Sequence, residues 1–163
     1  MKITDTHVYF YSGKEVFSNW YVTEKQFTDY IENWTFDSTE QAFMYCKAQF
    51  FADQEKVEQI LVQTDPRAVK ELGRQVKGYD DKAWECVRLG FMTYVNYLKY
   101  SQNEEFKKLL LSTGNKILVE ASPYDKIWGV GLGADDPLIL DKKNWKGKNL
   151  LGVSLMKVRE LIK

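Results

Sequence analysis

The sequence predicts a mainly helical α+β domain built around one core, and three observations carry that reading. The chain has 163 residues, a length that suits one domain spanning 1–163 rather than two separate cores. A series of amphipathic stretches follows Ser, Asp or Asn residues placed as helix caps. Runs with strand character are few and short, one near the start and one near residue 117.

Taken in order, residues 8–22, VYFYSGKEVFSNWYV, mix aromatics with a Ser-Gly turn signal and predict short strands around a turn. Asp37 and Ser38 precede Glu40 and Gln41 at capping-box spacing, and apolar residues then recur at helical intervals, which predicts a helix from Thr39 to Phe51. Asp53 caps a second helix carrying Val57, Ile60 and Leu61. Asp65-Pro66 opens a third that runs towards Gly73. Asp80 and Asp81 begin the longest stretch, where Trp84, Val87, Phe91, Val95 and Leu98 form one apolar stripe. Asn103 to Leu111 predicts a further helix stopped by Gly114, and Lys116 to Ala121, KILVEA, a short strand. The segment from Ser122 to Lys148, rich in Gly, Pro, Asp and Trp, predicts a long irregular connection of the kind that carries function. Asn149 starts the closing helix.

Composition narrows the partners. Lys plus Arg and Asp plus Glu both number 23, so the net charge is zero and no long-range field gathers polyanions. Nucleic acid is therefore not the favoured partner, although a local contact is compatible with the chain. Aromatics make up 15% of the residues, more than core filling ordinarily demands, which suggests flat surfaces for stacking. Two cysteines, Cys46 and Cys86, form no disulfide framework and are expected to be reduced and buried. A single histidine, His7, leaves no recognisable ligand spacing, so no metal and no other cofactor is expected. Without a signal-like N-terminus or a long apolar run, a cytoplasmic location away from membranes is expected.

Three clusters could carry chemistry. On the first helix Glu40, Phe43, Met44 and Lys47 share a face, with the two charges roughly 10 Å apart at about 1.5 Å of rise per residue. Such a face either finds partners for its charges or lines a pocket. The competing reading is structural: Glu40 completes a capping box with Asp37, and Lys47 snorkels to solvent. After the KILVEA strand, Asp125 and Trp128 fall in a strand-end loop, where catalytic side chains are common. A turn with Asp125 bound to nearby N–H groups explains them equally well. Gly73-Arg74-Gln75-Val76-Lys77-Gly78 places two cations between glycines, suited to a phosphate or to a solvated turn. Gly129 to Gly133 resembles a dinucleotide loop only superficially, because Asp135-Asp136-Pro137 follows where a helix N-terminus is required.

A joint pattern runs through these pieces: Phe17-Ser18-Asn19, Ser38-Thr39-Glu40 with Lys47-Ala48, Gly73-Arg74, and Trp84 with Arg88. It continues through Thr113-Gly114, Leu118 to Ser122, Asp125, Trp128-Gly129, Asn149 to Gly152, and Leu155-Met156 with Val158-Arg159. This pattern resembles the NADAR family of YbiA-like N-glycosidases from about Phe17 to Leu161. The resemblance implies a mainly helical, metal-independent enzyme acting on a small ribosyl nucleotide. The implied bond is that between a heterocyclic base and ribose 5-phosphate, in ribosylamino-pyrimidine phosphates of riboflavin synthesis. Other branches of the family are associated with ADP-ribose and with its removal from modified guanine. Carried over by position, the resemblance marks Glu40, Trp84, Asp125 and Trp128 as the active centre, and Asn19, Lys47, Arg74 and Asn149 as substrate-binding groups. The chain departs from the pattern at Phe43-Met44, where a tyrosine-glutamine pair is usual, and at Trp20, where a phenylalanine is usual.

Loss of a base from ribose leaves an oxocarbenium-like sugar, so one carboxylate can activate water while a second polar group assists the leaving nitrogen. Glu40 suits the first role and Asp125 the second, or the reverse, with Trp84 or Trp128 stacked on the base. Rival readings are a module that holds ADP-ribose without cutting it, a nucleic-acid-directed glycosidase, and attack by a desolvated Lys47 amine through a Schiff base.

Overall fold

The structure, a computed structural model, describes residues 1–163. Helix α1 (Thr39–Phe50) is the axis of the fold, with nine of its twelve residues buried. Around it pack α2 (Gln54–Leu61), α3 (Pro66–Arg74) and α4 (Asp81–Ser101), while α5 (Glu104–Ser112) and α6 (Leu150–Leu161) close over α4. The expected caps are in place. Asp53, Asp65, Asp80 and Asn103 each accept an N–H from the first turn of the helix they precede, which offsets the donors a helix start leaves free.

Strands are short and lie in two places. β1 (Lys2–Ile3) pairs antiparallel with β2 (His7–Phe10), which pairs parallel with β5 (Ile117–Glu120), placing His7 opposite Ile117 and Phe10 opposite Glu120. A second, two-stranded ladder joins β3 (Val22–Asp29) to β4 (Trp34–Ser38), with an irregular register between Val22 and Phe27. Sequence reasoning missed this hairpin. Only Thr23, Phe27 and Asp29 of β3 are buried, so the period-two signal is diluted by Glu24, Lys25 and Gln26, and Asn33 at the tip takes a left-handed conformation without the Asn-Gly pair that announces a turn.

A core of 27 buried side chains runs from the hairpin through α1 and α4 to α6, and a six-residue satellite lies under the irregular segment, where Tyr9, Val119 and Val130 meet Ile139. That segment is wound by two short 3-10 turns, Pro137–Leu140 and Lys142–Asn144. Helix α4 buries Trp84, Met92, Val95 and Leu98 as its stripe, together with Arg88 and Lys99. The Lys99 ammonium has no carboxylate partner. It donates to the carbonyls of Val16 at 2.6 Å and Ser18 at 3.4 Å, and burial pushes it down to about 7.

Two sequence expectations need correction. Cys46 is buried but Cys86 is exposed, because it lies on the outward face of α4. Gly73 and Arg74 are the last turn of α3 rather than a loop, and Lys77 points away to pair with Glu55 at 2.7 Å. Gly73 is there for contact: a Cβ would come within 1.9 Å of the Met44 sulfur, so α3 can approach α1 only without one. No helix is long and apolar enough to cross a membrane.

Candidate active site

A cavity of about 670 Å³ opens between the end of β2, the start of α1, the end of α3 and the loop that follows β5. Its walls come from four separate stretches of chain. Tyr11 to Gly13 and Ser18 to Trp20 form one side, Lys70 and Arg74 another, Glu40 stands on α1, and Glu120 with Ser122 to Trp128 completes the enclosure. A smaller lobe of about 180 Å³ shares Glu40, Arg74, Asp125 and Trp128 and extends inward to Phe43, Lys47 and Trp84.

Local capping decides what Glu40 is free to do. The first turn of α1 is capped by Ser38, whose hydroxyl accepts from Gln41 N–H at 3.2 Å, and the Gln41 side chain reaches back to accept from Asp37 N–H at 2.8 Å. The reciprocal part of the cap belongs to Gln41, so Glu40 does not complete a box with Asp37. Its backbone N–H instead donates to the Asn19 carbonyl at 2.9 Å, and the residue is only 5% exposed, on the cavity wall. Burial, with Asp125 beside it, pushes Glu40 up to about 7 against the opposing pull of Lys70, the Trp20 indole and Arg74. A carboxyl so placed changes charge near neutrality, which is the range a general base requires.

Asp125 is held by its own turn. Its Oδ1 accepts from Ile127 N–H and from Trp128 N–H, each at 2.8 Å, and its N–H donates to Ser122 Oγ at 3.1 Å. The turn expected of these residues thus exists, and it also sets Asp125 and Trp128 on the cavity wall. Trp128 is half-buried and meets Phe43 edge-on at 5.0 Å. Trp84 is deeper, tilted against Phe43 at 5.3 Å and stacked on Phe91 at 5.7 Å, and reaches only the smaller lobe.

The binding groups divide. Asn19 lines the cavity with a buried Oδ1 that has no hydrogen-bond partner, and Arg74 lines both spaces while pairing loosely with Glu71 at 3.2 Å. Lys47 faces the smaller lobe, where its Nζ donates to the Gly73 carbonyl at 2.8 Å and sits 4.3 Å from the Tyr79 ring centre. It forms no ion pair within salt-bridge distance. Burial lowers its pKa, against which the charges of Asp81 and Glu40 act. Asn149 lines neither space. In a left-handed conformation at the start of α6, it accepts from Glu120 N–H at 3.0 Å and donates to the Leu118 carbonyl at 2.9 Å, clamping α6 to β5.

Sequence reasoning passed over Lys70 and Glu120 as site residues, and met Trp20 only as a departure from the family pattern; Trp20 lines the cavity. Lys70 lies one helical turn before Arg74, at the spacing that puts both on one face, and its Nζ is 5.6 Å from the Trp20 ring centre. That spacing was a usable signal; the apposition of Glu120 and Glu40 across 80 residues of chain had none. No group of three or more His, Cys, Asp or Glu side chains is arranged to hold a metal ion.

Comparison with known proteins agrees with this architecture. Residues 9–163 match the NADAR domain. The chain belongs to the NADAR family. It is 40% identical to an N-glycosidase of Acanthamoeba polyphaga mimivirus over 96% of both chains. It is 38% identical to the irg-1 protein of Caenorhabditis elegans, over 96% of this chain and 80% of that one. The N-glycosidase YbiA of Escherichia coli strain K12 is 34% identical over 71% of this chain and 66% of its own. The solution structure of E. coli YbiA superposes with a TM-score of 0.76 at 30% identity, covering 99% of this chain and 87% of that one. The α+β arrangement of six helices and short strands is thus the NADAR fold as YbiA displays it.

Proposed function

We propose that this NADAR protein is an N-glycosidase that hydrolyses the bond between a heterocyclic base and ribose 5-phosphate, with ribosylamino-pyrimidine phosphates of riboflavin synthesis as its substrate class. One observation carries the reading: a buried carboxyl, Glu40, is released from helix capping by Gln41 and stands on the wall of a cavity also lined by Lys70, Arg74 and Lys126. Glu40 takes a proton from the attacking water, and Asp125 adds negative charge beside the developing oxocarbenium ion. Trp128 offers a stacking face to the base, Trp84 backs it through Phe43, and Arg74 with Lys70 receives the phosphate. The relatives' names support the hydrolase class, and the neutral composition favours a small nucleotide over a polymer.

The test is direct. Incubation with a ribosylamino-pyrimidine 5-phosphate in the presence of chelator is expected to release free base and ribose 5-phosphate, detected by mass spectrometry. Activity that vanishes with chelator and returns with a divalent ion overturns the metal-free mechanism; retention of intact ADP-ribose with no cleavage of any ribosyl nucleotide supports the binding-module reading instead. Because Glu40 must be ionised to accept a proton, kcat/KM is expected to fall as the pH drops through about 7.

A second mechanism is favoured by one observation, the desolvated Lys47 with a carbonyl rather than a carboxylate as its partner. Its neutral amine could attack the sugar and form a Schiff base. Water attack is preferred because Nζ is already engaged with Gly73 and the Tyr79 ring. Borohydride added during turnover is therefore expected to trap no adduct, and a borohydride-dependent mass increase mapped to Lys47 replaces water attack.

A further inference from the structure

Glu120 ends β5 with its main chain held on every side. Its N–H donates to Asn149 Oδ1 at 3.0 Å, its carbonyl accepts from Val130 N–H at 3.0 Å, and the next residue, Ala121, donates to the Phe10 carbonyl at 2.8 Å. The side chain is thereby aimed into the cavity from a fixed base. At its end the pairing stops: Oε2 is closed off from solvent without a hydrogen-bond partner, and no cation lies within salt-bridge distance. A structural carboxyl buried this way is expensive. The groups that face it are Glu40 on α1 and Asp125 on the following loop, both acidic, opposed by Lys70 on α3, while Arg74 and Lys126 also line the cavity. Three carboxyls around one cavity cannot all be charged at neutral pH without large mutual repulsion.

Of the three, Asp125 is committed as an acceptor to two main-chain N–H groups. Glu120 has no comparable bond. Burial, Asp125 and Glu40 together push it up to about 8, above the value near 7 reached by Glu40.

We propose that Glu120 is the general acid of the site, the group that gives its proton to the departing base nitrogen. This role rests on the glycosidase reading above. As the C1′–N bond breaks, its electron pair goes to nitrogen, which takes the proton from Glu120. Water forms the new C1′–O bond and loses a proton to Glu40. Return of that proton from Glu40 to Glu120 through solvent restores both groups, so one water is consumed and no net proton is released. Asp125, fixed by its turn, faces the positive charge that develops at the sugar.

The experiment compares Glu120→Gln with the unaltered protein on two substrates. One is a ribosylamino-pyrimidine 5-phosphate, whose leaving nitrogen must be protonated. The other is nicotinamide mononucleotide, whose cationic base departs neutral and needs no acid. The variant is expected to lose about 100-fold or more in kcat on the first with KM little changed, to lose the alkaline limb of its pH profile, and to keep turnover of the second within roughly threefold, far less than general-acid loss predicts. Equal losses on both substrates, or none on the first, overturn the proposal. Carbon-13 NMR of the carboxyl groups, assigned with the same variant, gives a reading that needs no turnover. A Glu120 carboxyl fully ionised at pH 7 overturns the acid role, whereas absence of base release by the unaltered protein from either substrate overturns the glycosidase reading itself.

Discussion

Glu40 and Gln41 are neighbours in the chain and both almost fully buried, yet they face different worlds. Gln41 looks towards the junction of α2 and α3, where its amide donates to the carbonyls of Ile60, Leu61 and Gln63 and its oxygen accepts from Asp37 N–H. Every polar atom of that side chain is satisfied. On the other side of the same helical turn, the carboxyl groups of Glu40 and Glu120 and the Asn19 oxygen crowd one space with few protein partners. Buried polar groups that serve architecture are paired, and those left unpaired around a cavity are the ones a substrate can complete.

The tryptophans offer the largest effect by which to break this division. Trp84 stands behind the cavity in an aromatic stack, so Trp84→Ala is expected to cost about 3–5 kcal/mol of stability. Trp128 stands in front, and Trp128→Ala should lower kcat/KM by roughly tenfold or more through lost base stacking while costing much less stability than Trp84→Ala. Equal losses of stability, measured by urea unfolding, would make Trp128 a core residue.

Next in size are the two neighbours themselves. Glu40→Gln is expected to lower turnover by about 100-fold or more with the fold intact. Gln41→Leu should do the opposite, costing roughly 2–4 kcal/mol because each unsatisfied buried group costs about 1–3 kcal/mol, with turnover per folded molecule largely kept. A cavity acid should also carry a stability cost of known sign. Glu120 has a folded pKa raised to about 8 from 4.5, so its favourable contribution is complete below about 4.5 and is lost as the pH rises through about 8. Glu120→Gln should therefore raise Tm relative to the unaltered protein at pH 9 and not at pH 4. Taking the difference between the two proteins removes the opposite trend of Lys99, whose contribution is lost as the pH falls through about 7. The smallest effect belongs to Lys47→Arg, which keeps the charge and should retain partial substrate binding, because the wider guanidinium fits the Gly73 carbonyl and Tyr79 ring less well.

Helices and caps were legible because each is a local signal: Asp53, Asp65, Asp80 and Asn103 cap the helices their spacing announces. The β3–β4 hairpin was not, since Glu24, Lys25 and Gln26 interrupt its alternation, apolar residues such as Val22 and Trp34 lie exposed, and its tip lacks a distinctive turn pair. At the site, the pattern brought forward Glu40, Asp125, Trp128, Asn19 and Arg74, all of which line the cavity. Asn149 answered to the same pattern for another reason: it ties α6 to β5, and the clamp holds Glu120 in place. Lys70 and Glu120 escaped because a cation on a helix and an acid at a strand end are ordinary until tertiary packing turns them towards a common space.

The parallel pairing of β2 with β5 has a kinetic consequence. It joins His7 to Ile117 and Phe10 to Glu120, partners 110 residues apart in a chain of 163, and such long closures are entropically slow compared with helix formation. The cavity lies at the end of that pairing, between Tyr11 and Glu120. During refolding, helical signal should therefore return well before turnover does. A ribosyl nucleotide that bridges the two walls would favour the closed pairing by mass action, making the substrate a partner in completing the fold that cleaves it.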